Sequence, residues 1–154
     1  MMDKKLDQLR ELSLAEHLGR SHRLWRMVAD TELVPLGLTH PRWTALWKLR
    51  RMGDGVSQKA LAEALEIELP SLMRTLAQLE QQQLICRYCC NQDKRARIVW
   101  LTDSGRQILS QMETLIVQVR LDLLDGISEA ELAQFEQTLQ RITANAQRKL
   151  AAKK

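Results

Sequence analysis

Five side chains in one short segment, Ser71, Met73, Arg74, Thr75 and Gln78, are suited to reading a hydrogen-bonding surface rather than to making or breaking bonds. Leu72, Leu76 and Leu79 recur between them at 3–4 spacing, so a helix from about Pro70 to Gln82 would turn its leucines inward and those five outward. Arg74 is the strongest of the five, because a planar guanidinium can fork onto a base edge or clamp a phosphate. Read alone, such a residue is more often an ordinary surface arginine; its place after a turn and before a basic hairpin favours the reading role. A second cluster follows in the polar run Asn91-Gln92-Asp93-Lys94-Arg95-Ala96, where Lys94, Arg95 and Arg97 stand with Asp93 as the one acid. It is either a solvated loop tip or a projection whose Arg95 reaches a narrow minor groove, with Asp93 aiming the guanidinium.

Other chemistry is poorly supported. Cys86, Cys89 and Cys90 invite a redox or zinc reading, but strand alternation separates Cys86 from Cys89, and adjacent cysteines rarely bridge without strain. His17, His22 and His40 share no ligand spacing with them, so no metal and no cofactor is expected. An exposed cysteine beside Arg87 and Lys94 could still sense oxidants, the alternative being an inert thiol. No Gly-rich phosphate loop and no nucleophile–base constellation occurs, which argues against an enzyme.

The elements that must hold these residues follow from periodicity and punctuation. Leu6, Leu9, Leu14, Leu18, Leu24, Trp25 and Val28 mark one amphipathic helix or a broken pair, closed by the loop Val34-Pro35-Leu36-Gly37-Leu38. Thr39 is placed to cap the next helix, with Pro41 in its first turn, Trp43, Leu46, Trp47 and Leu49 along it, and Gly53-Asp54-Gly55 after it. Ser57 can cap a short third helix, and the Pro70 helix comes fourth. Ile85–Cys89 and Arg97–Leu101 read as a hairpin around the charged tip. Thr102 caps a long helix carrying Leu109, Met112, Ile116, Val119 and Leu123. After the Asp125-Gly126 break, Ser128 and Glu131 open a last helix with Leu132, Phe135, Leu139, Ile142 and Ala146.

A chain of 154 residues with 45% apolar content, three Pro and six Gly describes a single mostly α-helical domain with a small β-hairpin. No apolar run is long enough to span a membrane and no secretory leader opens the chain, so a soluble, cytoplasmic protein is expected. The net charge of +4 is unevenly placed. Residues 1–38 and 107–154 each carry six basic and six acidic side chains, whereas 39–106 carry eleven against seven. The surplus coincides with the helix, turn, helix and charged hairpin, the arrangement of a winged helix-turn-helix. The 3–4 stripes of the flanking helices suit a dimer interface. The chain therefore divides into an N-terminal dimerisation helix and loop (1–38), a winged DNA-binding region (39–105) and C-terminal dimerisation helices (106–154).

The run Ile67-Glu68-Leu69-Pro70-Ser71-Leu72-Met73-Arg74-Thr75-Leu76 is followed by Leu79-Glu80, Leu84-Ile85, Arg87, Asp93-Lys94-Arg95-Ala96 and Leu101-Thr102. Together they resemble the MarR family of transcriptional regulators, and within it the SlyA subgroup. The resemblance extends from Leu18-Gly19-Arg20 and Leu24-Trp25-Arg26 to Gly126-Ile127-Ser128. It implies an obligate homodimer, built from the first and the last two helices, that binds double-stranded DNA at A·T-rich palindromes in the nucleoid. Arg74 would enter the major groove and Arg95 the minor groove, with half-sites about 34–36 Å apart. Three positions depart from the family pattern: Glu66 and Gln83 replace glycines, and Lys94 replaces an arginine and its bidentate fork.

The same resemblance implies control by a small aromatic carboxylate held between the DNA-binding unit and the dimerisation helices. Arg23, Arg26, Trp43 and Trp47 could line such a site. Alternatively both tryptophans are core and both arginines form surface or interface ion pairs. Beside the DNA-binding regulator stand a winged helix that docks an acidic protein partner and a redox-responsive regulator using Cys86, Cys89 and Cys90.

Overall fold

The computed structural model describes residues 2–53, 55–89 and 97–153, with side chains at all of these except 2, 3, 9–12 and 89. Among the described residues the chain forms six α-helices and a three-stranded antiparallel sheet, arranged as two compact units, Met1–Val119 and Arg120–Lys154.

In the first unit, α1 (Met2–Leu33) is one unbroken helix, so the alternative of a broken pair does not hold. A 3₁₀ turn at Val34–Leu36, with Pro35 in its first positions, leads to α2 (His40–Met52). Thr39 occupies the N-cap of α2 with extended backbone, but its hydroxyl makes no capping bond. The other sequence caps do bond as expected. Ser57 Oγ accepts from the Ala60 N–H at the start of α3 (Gln58–Leu65), and Thr102 Oγ1 accepts from the Gly105 N–H at the start of α5 (Asp103–Leu123). Each such cap is worth about 1 kcal/mol.

Helix α4 (Leu69–Gln81) carries the inward stripe Leu72, Thr75, Leu76 and Leu79, at i, i+3, i+4 and i+7. The three leucines pack with Leu46 and Leu49 of α2 and Leu61 of α3 in one core that also takes in Leu33, Val99, Leu109 and Met112. Leu46, Leu61, Leu72, Leu76 and Leu79 have no exposed surface, and full burial of a leucine stabilises by about 1.5–3 kcal/mol.

The hairpin is β2 (Ile85–Cys89) against β3 (Arg97–Leu101), in a register running from Ile85↔Leu101 to Cys89↔Arg97. A further strand, β1 (Val56–Ser57), pairs with the other edge of β3, making β3 central. Two residues are too few to show a strand period in sequence, so β1 was not legible there. The wing tip lies between β2 and β3. Asp93, Lys94 and Arg95 fall outside the described residues.

Glu66 and Gln83 both adopt left-handed backbone, with φ of 55° and 62°. Glu66 ends α3, and Gln83 makes the tight exit from α4 into β2. A side chain in this conformation costs roughly 1–2 kcal/mol relative to its usual one. Gly105 is required for a different reason: a Cβ there would stand 2.1 Å from the Leu84 carbonyl oxygen. That carbonyl accepts from the Thr102 N–H, so the glycine lets α5 start directly against the turn that joins α4 to β2.

The second unit holds the end of α5 and α6 (Glu129–Ala151). Ser128 Oγ caps α6 by accepting from the Glu131 N–H. None of the described side chains of α6 is buried, and Phe135, Ile142 and Leu150 are exposed. Among the described residues no helix is long and apolar enough to cross a membrane.

Candidate nucleic-acid interface and the adjoining cavity

The inward leucines of α4 leave Ser71, Met73, Arg74 and Gln78 outside the buried stripe, on a helix anchored along its length. At its N-terminus Pro70 occupies an early position, where a missing N–H leaves no bond unmade. Further along, Arg42 Nε of α2 donates to Gln78 Oε1 at 3.1 Å, and Gln82 Nε2 donates to the Gly37 carbonyl at 3.3 Å. At the hairpin end, Arg87 Nε and Nη2 fork onto the two Glu80 carboxylate oxygens at 3.3 and 3.2 Å, while its Nη1 donates to Oε1 of the buried Gln58 at 3.2 Å. One guanidinium thus fastens α3, α4 and β2 together. The hydrogen bonds from Arg87 hold the Glu80 carboxyl below its ordinary pKa, and the charge of Arg97 adds to the effect.

Thr75 does not belong to the outward set. It is 7% exposed, and its hydroxyl donates to the Ser71 carbonyl within the helix. The reason lies in its spacing: position 75 is three past Leu72, so it falls on the buried stripe. Arg97 is exposed on β3, close enough to Glu80 to act on its charge.

Beside α4 lies an open cavity of about 700 Å³. One wall is α1, through His22, Trp25, Arg26 and Ala29. The facing wall is α4, through Ser71, Arg74, Thr75 and Gln78. Each set has the spacing i, i+3, i+4, i+7, the ridge that one side of a helix presents. The N-terminal turns of α2 close the cavity with His40, Trp43 and Thr44.

Asp30 ties together three of the lining side chains. Its Oδ1 accepts from Trp43 Nε1 at 2.7 Å and from His40 Nδ1 at 2.8 Å, and Oδ2 pairs with Arg26 Nε at 3.7 Å. Burial works to raise the Asp30 pKa. The hydrogen bonds from Trp43 and His40, with the charges of His40 and Arg26, outweigh it and hold the group below its usual value. Trp43 and His40 meet edge to face, their ring centroids 5.4 Å apart.

Of the four residues expected at a ligand site, Arg26 and Trp43 line this cavity and Arg23 and Trp47 do not. Trp47 packs against the leucine core. Arg23 lies back along α1, its Nη1 3.2 Å from where a Cβ on Gly19 would be. Sequence reasoning missed His22, Trp25 and His40 in the lining, and Asp30 as the partner of His40, Trp43 and Arg26. The 22-25-26-29 ridge was readable in the sequence, but nothing there told which face of α1 meets α4.

Cys86 is a free thiol, half-buried on β2. A hydrogen bond with it, together with its nearby charge, raises the pKa of Tyr88. Cys90 lies outside the described residues, as does the Cys89 side chain. Among the described residues no cluster of His, Cys, Asp or Glu could hold a metal ion.

Three helices and a three-stranded wing sheet, with α4 presented beside the hairpin, define a winged helix-turn-helix protein. The sequence pattern described as "MarR family" matches residues 38–96, from before α2 to the wing tip. A transcriptional regulator, PA3341, is 36% identical; the alignment covers 88% of this chain and 98% of that one, with a TM-score of 0.81. The chain belongs to the MarR family of transcriptional regulators. Two more distant structures share the fold. A cysteine-to-serine mutant of MarR from E. coli, complexed with operator DNA, is 23% identical over 86% of this chain and 95% of that chain, at a TM-score of 0.79. CouR from Rhodococcus jostii RHA1, bound to p-coumaroyl-CoA, is 21% identical over 84% and 90%, at 0.74.

Proposed function

We propose that this regulator binds double-stranded DNA as a homodimer, with α4 in the major groove and the segment 91–96 in the minor groove of A·T-rich palindromes, in the manner of the SlyA subgroup. The observation that carries the reading is α4 itself: it turns Ser71, Met73, Arg74 and Gln78 away from its leucine stripe while Arg42, Gln82 and Glu80 tie it to the rest of its unit. Rigid presentation matters, because base contacts discriminate only when the reading side chains are held in register. The exposed apolar residues of α1 and α6 supply surface for dimerisation, and the operator-bound E. coli MarR shares the fold. Such a protein acts in the cytoplasm, at the nucleoid.

Selection of tight-binding duplexes from a random pool, followed by mobility shifts, tests this. Arg74→Ala should cost about 1–3 kcal/mol per half-site and relax preference at the base it faces. Arg95→Ala should weaken binding and flatten its salt dependence by about one unit of log–log slope for each phosphate it no longer neutralises. If the wild-type chain selects no duplex, or its binding ignores salt, the winged unit serves a protein partner instead.

The cavity supports a second element of the same function, control by a small aromatic anion. Trp25 and Trp43 offer ring surface, and Arg26 and Arg74 offer positive charge. CouR, with its bound p-coumaroyl-CoA, is similar in fold.

A further inference from the structure

The outward residues of α4 are not equally free. Gln78 is exposed, yet its amide is held from another element: Arg42, in the first turn of α2, donates its Nε–H to Gln78 Oε1 at 3.1 Å. Among the described residues no hydrogen bond from another element reaches the side chain of Ser71, Met73 or Arg74.

The bond fixes polarity as well as position. A guanidinium carries donors and no acceptor, so only the oxygen end of the amide can face Arg42. The Gln78 Nε2 hydrogens are thereby left pointing away from that bond. A free glutamine on a recognition helix is ambivalent, because turning its amide over exchanges a donor for an acceptor. Held by its oxygen, Gln78 offers a donor first. In the major groove guanine N7 and O6 and thymine O4 are acceptors, whereas the cytosine N4 amino group is a donor. Ordering the side chain before DNA arrives also reduces the rotamer freedom lost on binding.

We propose that Arg42 is a positioning residue for base reading: by holding the Gln78 oxygen it makes Gln78 a hydrogen-bond donor toward the major groove, selecting guanine or thymine over cytosine at the base it faces. This rests on the DNA-binding reading and deepens it, adding a residue of α2 to the recognition surface and assigning a polarity to one contact. Arg42 acts here through Gln78, 36 positions further along the chain, and not through the DNA backbone. Were the bond a plain tie between α2 and α4, its loss would affect all duplexes alike.

The test uses the full chain. Selection from a random duplex pool gives the preferred sequences of the wild type and of Gln78→Ala, and the position whose preference Gln78→Ala relaxes is the base that Gln78 faces. Competition mobility shifts then compare every base pair at that position. Each variant yields a ratio of Kd values that does not depend on how much of it is folded. The wild type should favour guanine or thymine over cytosine there by about three- to tenfold, the range of one discriminating hydrogen bond. Arg42→Ala should bring that ratio to within about twofold of unity, while the preference that Arg74→Ala removes stays intact. Arg42→Ala combined with Gln78→Ala should lose no more discrimination at the position than Gln78→Ala alone. Gln78→Glu, whose carboxylate only accepts and still pairs with Arg42, should reverse the preference toward cytosine.

Three results would each overturn the proposal and leave DNA binding standing. They are a Gln78→Ala chain that keeps every base preference, an Arg42→Ala chain that binds all duplexes more weakly in the same proportion, and a Gln78→Glu chain that still favours guanine or thymine. A wild-type chain that selects no duplex would remove both readings together.

Discussion

The unit that carries α4 and the unit that ends in α6 are built from similar amphipathic helices, yet they bury them to opposite extents. In the first, the apolar stripes of α2, α3 and α4 close on one another, and five leucines lose all their exposed surface within the single chain. In the second, α6 repeats the same 3–4 stepping, but Phe135, Ile142 and Leu150 stay exposed and no described side chain of the helix is buried. Helix α1 resembles α6 over much of its length: Leu6, Leu14, Leu24, Met27 and Val28 are exposed, and burial begins at Ala29 and Leu33. Periodicity thus announces a buried face without saying whether the same chain covers it. The winged unit covers its own leucines, whereas these apolar side chains of the terminal helices stay exposed within the single chain.

The strongest way to break this comparison is to charge the open face. Phe135→Asp with Ile142→Asp should disrupt dimerisation by about 3–6 kcal/mol, since each side chain brings about 1.5–3 kcal/mol of apolar burial to an interface. Sedimentation should show a monomer, and operator affinity should fall with it. If the doubly charged chain sediments as the wild type does, the α6 face is not an interface. The winged unit is attacked instead at its tightest point. Gly105→Ala forces a Cβ against the Leu84 carbonyl and should destabilise by about 1–3 kcal/mol, read as a lower melting temperature. Unlike the charged α6 variant, it should remain dimeric while folded.

A third change sharpens the contrast by strengthening one side. Glu66→Gly and Gln83→Gly relieve left-handed backbone in the winged unit, and the relief of about 1–2 kcal/mol is partly offset by the flexibility glycine adds to the unfolded chain. Each should raise stability by about 0.5–1 kcal/mol in denaturant melts, with no change in dimer affinity.

The smallest effect is on pH. Asp30 and Glu80 are held below their ordinary carboxylate pKa in the folded chain, so both contribute stability that is present at neutral pH and above the unfolded value. That contribution disappears as pH falls through the lowered folded values. Melting temperature should therefore decline more steeply below about pH 4 in the wild type than in Asp30→Asn or Glu80→Gln. Equal slopes would mean that neither pair contributes measurably.

Much of the winged unit was legible from residues in order. Leucine spacing located α4, Pro70 its start, Ser57 and Thr102 two working caps, and the β-branched and aromatic runs the hairpin. Where the reading failed, long-range geometry decided. Thr39 stands at its N-cap without capping, and Val56–Ser57 becomes a strand only because β3 offers a free edge. Thr75 turns inward with the leucines although its hydroxyl suggested otherwise. Of the four residues read as a ligand site, Arg26 and Trp43 line the cavity and Arg23 and Trp47 do not. Composition favours cationic and aromatic side chains for such a site, but only the tertiary fold decides which of them line the cavity.

Sequence alone determined which faces are apolar, where helices begin and end, and that positive charge gathers at residues 39–106. These are local properties, set by side-chain spacing, caps and turn residues within a few positions of each other. Tertiary structure decided that His22, Trp25 and Arg26 face Ser71, Arg74 and Gln78 across one cavity, and that Asp30 gathers Trp43, His40 and Arg26. The residues that face each other across that cavity are far apart along the chain, at a separation no helical or strand period encodes. Only the shared core, which joins Leu33 of α1 to the leucines of α2 and α4, brings those groups together.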